Sequence, residues 1–230
     1  MNLASNAKTR TISTWYVDPA DEDAMTEAHA PIWRHLIGLL PERDLTTKNV
    51  LDFGCNQGGF LRHLYALRPF RKALGVDIAT ASVEKAESLK GAVPVHYDTD
   101  TRLRGWDEQF DVAFTHEVIY LIEDIQRHAS DLWRVLKPCG VYYAVTGCHT
   151  DNPLWPEWRS LIAGRTNTTV QDRSITDYAR AFVDAGFQVS ARKLAFDGFV
   201  PYQPDGWSPN FAQTLDYYTQ TKVVFRLVKP

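Results

Sequence analysis

Val50-Leu51-Asp52-Phe53-Gly54-Cys55-Asn56-Gln57-Gly58-Gly59-Phe60 is an apolar run that breaks at glycines and continues in helical period to Leu67, stopped before Pro69. Such a segment reads as a buried strand, a tight loop and a helix. The same unit recurs downstream. Ala73 to Asp77 is a strand followed by a helix from Ala79 to Leu89. Val93 to His96 is a weaker strand, with Pro94 suited to its start. Phe110 to Thr115 is a strong strand, and the stretch from Glu123 to Leu136 sets Ile125, Ala129, Leu132, Trp133 and Leu136 on one helical face. Lys137-Pro138-Cys139-Gly140 turns the chain into a strand from Val141 to Thr146. Strands alternating with helices predict a doubly wound α/β fold with a mostly parallel sheet and helices on both faces.

The flanks are less regular. Ile32, Trp33, Leu36, Ile37, Leu39 and Leu40 mark an amphipathic helix ahead of the first strand. The acidic run from Asp18 to Glu27 reads as a solvated face. Ser174 to Asp177 resembles a capping box, with Ile175, Tyr178, Ala179, Phe182 and Val183 in helical spacing up to Gly186. Two final strands, Phe187 to Leu194 and Lys222 to Val228, have no crossover helix between them and so pair antiparallel. Segments 147–173 and 196–219 read as irregular. They carry Trp155, Trp158, Phe199, Tyr202, Trp207 and Phe211.

Composition narrows the function. The 230 residues hold 25 Lys+Arg against 28 Asp+Glu, a net charge of −3 that disfavours binding by phosphate neutralisation. With 44% hydrophobic residues the chain reads as one globular domain, 1–230. Cys55, Cys139 and Cys148 are odd in number and form no C-x-x-C pair, so neither a disulfide framework nor a metal site is expected. Without a signal sequence or a membrane span, the expected location is cytoplasmic.

The glycine loop lets backbone amides and a helix N-terminus approach a nucleotide-like ligand. Asp77, 23 residues after Gly54, can accept two ribose hydroxyls. A dinucleotide fingerprint would have glycine where Asn56 stands, and Asp52 would repel a diphosphate. A carboxylate there suits a cationic group such as the amine of a methionine moiety.

Together these motifs resemble a class I S-adenosylmethionine-dependent methyltransferase, of the small-molecule, ubiquinone-biosynthesis-type branch. Val50 to Cys55 with Gly58 match the first motif, and Gly75-Val76-Asp77-Ile78 the second. Tyr97-Asp98, Phe110-Asp111-Val112 with His116-Glu117-Val118, and Leu132 to Gly140 match the later ones. The resemblance implies a Rossmann-like three-layer sandwich whose seven-stranded sheet is parallel except for its last strand. The N-terminal segment 1–44 would precede a cofactor-binding half, 45–146, and a substrate-side half, 147–230. S-adenosyl-L-methionine would be the cofactor, and S-adenosyl-L-homocysteine the product. Asp52 and the Gly54 backbone would meet its methionine end, Cys55, Asn56 and Gly58 would also bind the cofactor, and Asp77 would take its ribose hydroxyls. Ile78 would pack on the adenine, which Asp98 with Thr99, or alternatively Asp100, would contact. His116 would lie near the sulfonium and the acceptor.

Methyl transfer needs a base only where the acceptor carries a proton. His116 is the first candidate for that role, because an imidazole of ordinary pKa suits neutral pH. Tyr120 and His96 are the others. The acceptor expected is a small apolar or aromatic molecule methylated at O, N or C, under a cap built from the N-terminal and irregular segments; Trp15 and Tyr16 are further candidates for its lining. The protein would act as a monomer or homodimer. A non-catalytic S-adenosylmethionine-binding interaction module and an NAD-dependent oxidoreductase are the rival readings. Cys139, where the family pattern has glycine, makes a type II turn costly, so a type I turn is expected there.

Overall fold

The structure, a computed structural model, describes residues 10–202 and 210–230. Trp207 of the expected cap lies outside them. In chain order the elements are α1 (Pro19–Leu39), β1 (Leu45–Phe53), α2 (Gly59–Leu67), β2 (Phe70–Val76), α3 (Thr80–Leu89), β3 (Val95–Asp98) and β4 (Phe110–His116). There follow α4 (Ile125–Val135), β5 (Leu136–Thr146), α5 (Trp155–Arg165), α6 (Ile175–Asp184), β6 (Gln188–Lys193), α7 (Phe211–Asp216) and β7 (Val223–Val228). The described strands form one seven-stranded sheet in the order β3-β2-β1-β4-β5-β7-β6.

The side-chain period of two along each strand divides the core between the two faces. Val50, Val112, Tyr143 and Val224 pack in one layer with α1 and α2. Leu51, Ala113, Tyr142 and Phe225 pack in the other with α4 and α6. The sheet is thus the middle of a three-layer sandwich. β1 pairs parallel with β2 on one side and β4 on the other, which makes the end of β1 the point where strand order reverses. β7 lies between β5 and β6, antiparallel to both, as the pairing of the last two strands predicts.

Local chemistry explains the helix ends. Asp18 caps α1 by accepting from Ala20 N at 3.0 Å, ahead of Pro19 in the first turn. Asp124 caps α4 through Arg127 N at 2.9 Å. Ser174 and Asp177 form the expected reciprocal capping box at α6.

Four expectations are corrected here. The acidic run is the first half of α1, and its Glu22 is buried. Segment 147–173 is not wholly irregular, since Trp155 and Trp158 are buried in α5. Segment 196–219 contains α7 and enters a π-helical turn, Tyr217–Thr221. The turn at Pro138-Cys139 is not type I, because Cys139 has φ +63°. The left-handed conformation persists without glycine because Cys139 N donates to Lys229 O at 2.8 Å, which ties the turn to the end of β7. No described helix is long and apolar enough to cross a membrane.

Candidate active site

Where β1 and β4 part, the loops after Phe53 and His116 diverge around a cavity of about 930 Å³. The glycines here answer first to the protein's own packing. At Gly54 (φ +79°) a Cβ would meet Val118 Cγ2 at 2.3 Å, and at Gly58 (φ +72°) it would meet the Tyr97 hydroxyl at 2.2 Å. Gly54 N and Cys55 N both donate to Val76 O, which fixes the loop to the end of β2.

Carboxylates converge on this end of the cavity. Asp52 is 3% exposed, and its Oδ2 is buried without a hydrogen-bond partner. Burial and the neighbouring Asp77 push its pKa up to about 8. Asp77 accepts from Asn56 N at 2.8 Å and Ala79 N at 2.9 Å. Burial outweighs these donors and lifts it to about 6. Glu22 joins them from α1, accepting from Asn56 Nδ2 at 2.7 Å, from Trp15 N at 3.2 Å and from the Ser82 hydroxyl. An orphaned carboxylate oxygen among three acidic side chains fits a ligand with a positive charge, and opposes a diphosphate.

A strap from the N-terminal segment crosses the same end. Ile12 N donates to Ile78 O and Thr80 N to Ile12 O, both at 2.9 Å. At its other end Val17 N donates to Arg165 O, and Asn167 Nδ2 reaches Thr14 O and Tyr16 O. Trp15 and Tyr16 line the cavity from this strap.

Of the sequence-predicted residues, Asp52, Gly54, Cys55 and Asn56 line the cavity from the glycine loop. Asp77, Ile78, His116 and Tyr120 line it from the neighbouring strand ends. Gly58, Asp98 and Thr99 are not among the wall residues, and Thr101 and Arg102 are. Asp98 Oδ1 accepts from Thr99 N and Asp100 N, and Asp100 Oδ1 from Arg102 N, so both carboxylates order their own loop. His96 is exposed on β3, outside the cavity.

The far end of the cavity is aromatic. His116 Nδ1 accepts from Trp33 Nε1 at 3.4 Å, while its Nε2 is buried without a partner. Burial, Lys222 and His29 hold its pKa well below the ordinary value. This corrects the expectation of a base tuned near neutrality. Burial likewise keeps the Tyr120 phenol protonated by raising its pKa. Trp158 lines the cavity and meets Tyr217 edge-on, whereas Trp155 sits behind Tyr120 and donates to Asp172 at 2.8 Å.

Beside these rings Glu117, at φ +57°, accepts from Lys222 Nζ and the Tyr217 hydroxyl at 2.8 Å, and from Gly147 N at 3.0 Å. Burial alone would raise its pKa, yet Lys222 and these donors hold it below the usual value. Sequence reasoning missed Glu22, His29, Trp33, Tyr217 and Lys222 as site residues. The helical spacing of His29 and Trp33 was the available signal for two of them.

Residues 25–191 match the family described as a methyltransferase domain, well over half of the chain. The chain belongs to this family. The methyltransferase is 28% identical over 135 residues to the ubiquinone biosynthesis O-methyltransferase of Bartonella tribocorum, covering 57% of this chain and 51% of that protein. It is 27% identical over 119 residues to the protein of the same name from Bartonella bacilliformis, covering 50% and 46%. It therefore spans about half the length of these relatives. Among solved structures, it is similar to a chain of the complex between the Haloferax volcanii Trm112 methyltransferase activator and a candidate methyltransferase. The TM-score is 0.78 at 20% identity, covering 92% of this chain and 94% of that one. The S-adenosylmethionine-dependent methyltransferase of Mesorhizobium loti gives 0.66 at 15% identity, covering 88% and 99%. The fold is that of class I S-adenosylmethionine-dependent methyltransferases, and S-adenosylmethionine is the family's cofactor.

Proposed function

We propose that this methyltransferase transfers a methyl group from S-adenosylmethionine to an O, N or C atom of a small apolar or aromatic molecule. The observation that carries the reading is one continuous cavity with acidic side chains at one end and aromatic rings at the other. When bound, the cofactor supplies a methyl group already activated on sulfur. Asp52 receives its ammonium, Asp77 its ribose hydroxyls and Ile78 its adenine. The loop of Gly54, Cys55, Asn56 and Gly58 shapes the methionine pocket, and the loop of Asp98 and Thr99 holds Thr101 and Arg102 beside the adenine. His116 and Tyr120, both uncharged, wall the acceptor end and keep water out. Alignment in such a dry site is worth roughly 7–11 kcal/mol of barrier.

Calorimetry with S-adenosylmethionine is the first test. Micromolar binding that falls at least tenfold in Asp77→Ala is expected. No binding by the intact protein would overturn the reading. Production of S-adenosylhomocysteine with an aromatic acceptor then separates an enzyme from a binding module.

A further inference from the structure

Glu117 stands where two walls of the cavity meet. The next residue, Val118, lies against the glycine loop, so closely that a Cβ on Gly54 would meet its Cγ2 at 2.3 Å. On the other side the Glu117 carboxylate accepts from the Tyr217 hydroxyl at 2.8 Å. The Tyr217 ring lines the cavity and continues its aromatic wall, edge-on to Trp158 at 4.5 Å and beside Tyr218 at 4.9 Å. Two adjacent residues thus touch the loop that shapes the methionine pocket and a ring of the acceptor end.

The surroundings fix the direction of this carboxylate. Besides Tyr217, Oε1 accepts from Lys222 Nζ at 2.8 Å and Gly147 N at 3.0 Å, and Oε2 accepts from Thr146 Oγ1 and Gly147 N, both at 3.2 Å. These donors come from the end of β5, the π-helical turn and the residue before β7. Gly147 pins the ring as well. A Cβ there would meet Tyr217 Cε2 at 2.1 Å and its hydroxyl at 2.5 Å, so the phenol occupies the room that glycine leaves. The arrangement has costs: Glu117 takes φ +57°, which side chains other than glycine's rarely adopt, and apolar side chains often match a buried ion pair in stability. Strain, a π-helical turn and a buried ion pair gathered at one wall of a cavity point to placement of that wall rather than to stability.

Resting on the methyl-transfer reading above, we propose that Glu117 is a positioning residue and Tyr217 a specificity-determining one. Anchored by Lys222, the carboxylate holds the Tyr217 ring as the wall against which an aromatic acceptor packs in line with the methyl donor. Glu117 acts through Tyr217 and touches no reacting atom. With the donor loop on Val118 and the acceptor wall on its own side chain, it sets the separation of the two reactants. An error of about 1 Å in such a separation costs about 10²-fold in rate. A fixed ring also favours flat acceptors over aliphatic ones, because aromatic packing depends on the mutual orientation of the rings.

Carbon-13 NMR of protein labelled at tyrosine Cζ and saturated with S-adenosylhomocysteine reads the latch without turnover. The resonance missing from Tyr217→Phe identifies the residue. One sharp line is expected in the wild type, shifted and broadened in Glu117→Gln and in Gly147→Ala; a line unchanged in Glu117→Gln overturns the proposal. Turnover is followed as S-adenosylhomocysteine formed from 2-naphthol, 2-naphthylamine or indole, whichever reacts fastest, and the NMR decides alone if none reacts. Glu117→Gln should lower kcat about 10²-fold and Tyr217→Phe about 10-fold, with the S-adenosylhomocysteine Kd changed less than twofold. Tyr217→Leu should raise the acceptor KM at least tenfold. Combining Glu117→Gln with Tyr217→Phe should add no further loss, because both act on one ring. Additive losses, or a kcat within twofold of wild type in Glu117→Gln, overturn the assignment. In Lys222→Met with Glu117→Gln, stability returns in part while kcat stays low; recovery of both together makes the pair merely structural and overturns it too. Should Glu117→Gln fail to fold, Tyr217→Phe and Gly147→Ala keep the ion pair and decide by the same kcat and line shape. Failure of S-adenosylhomocysteine to bind overturns the methyltransferase reading itself, whereas binding with an unmoved Tyr217 line overturns the latch alone.

Discussion

Asp52 carries into the cavity a proton that a cationic ligand would displace. Its pKa of about 8 lies above the 3.8 of the unfolded chain, so the folded state binds the extra proton between pH 4 and 8. Stability from this group is therefore full below pH 4 and is lost as pH rises toward 8. Asp52→Asn is expected to raise the Tm at pH 8 by about 2–4 °C, corresponding to roughly 1 kcal/mol, while weakening S-adenosylhomocysteine at least tenfold. The same shift predicts that ligand binding releases up to one proton. Affinity should then rise from pH 5.5 to 7.5, below the range of about 7.7–8.0 where the ligand's own ammonium titrates. Calorimetry in buffers of different ionisation heat measures both quantities. Asp52 and Asp77 were legible in the sequence because each stands at the end of an apolar run, and neighbouring parallel strands bring such ends together. Glu22 was not, because α1 delivers it from more than 30 residues away and nothing in its immediate sequence marks the loop it meets.

At the scale of elements, the Pro138-Cys139 turn and the N-terminal strap make separable predictions. A non-glycine residue at φ +63° costs about 1–3 kcal/mol. Part of that is returned by the lower entropy of the unfolded chain, so Cys139→Gly should stabilise by about 0.5–1 kcal/mol in urea titrations. The strap hangs on Asn167, whose side chain reaches two of its carbonyls. With each bond worth about 1 kcal/mol, Asn167→Ala should speed hydrogen exchange at Ile12 and Val17 and weaken cofactor binding by roughly 5–10-fold. The strands and the helices α2, α3, α4 and α6 were legible from period and punctuation. α5 was not, because Pro153 just ahead of it and Pro156 and Gly164 within it read as loop punctuation. The turn type was misread because its stabilising bond comes from Lys229, 90 residues further on.

For the whole molecule, the buried pair of Glu117 and Lys222 joins the end of β4 to the start of β7 and closes the aromatic end of the cavity. Lys222 is 2% exposed. Removing its charge alone leaves a buried carboxylate, so Lys222→Met should destabilise by about 3–5 kcal/mol. Adding Glu117→Gln should return part of that loss, as a double-mutant cycle in urea would measure.

The place of β7 in the sheet also makes its neighbours depend on it. β6 touches the rest of the sheet only through β7. A chain still lacking β7 therefore has a β6 with nowhere to pair, a bare β5 edge, and a Glu117 without its cation. The aromatic end of the cavity thus rests on contacts of high sequence separation, and wherever β7 detaches it bares strand edges on both sides.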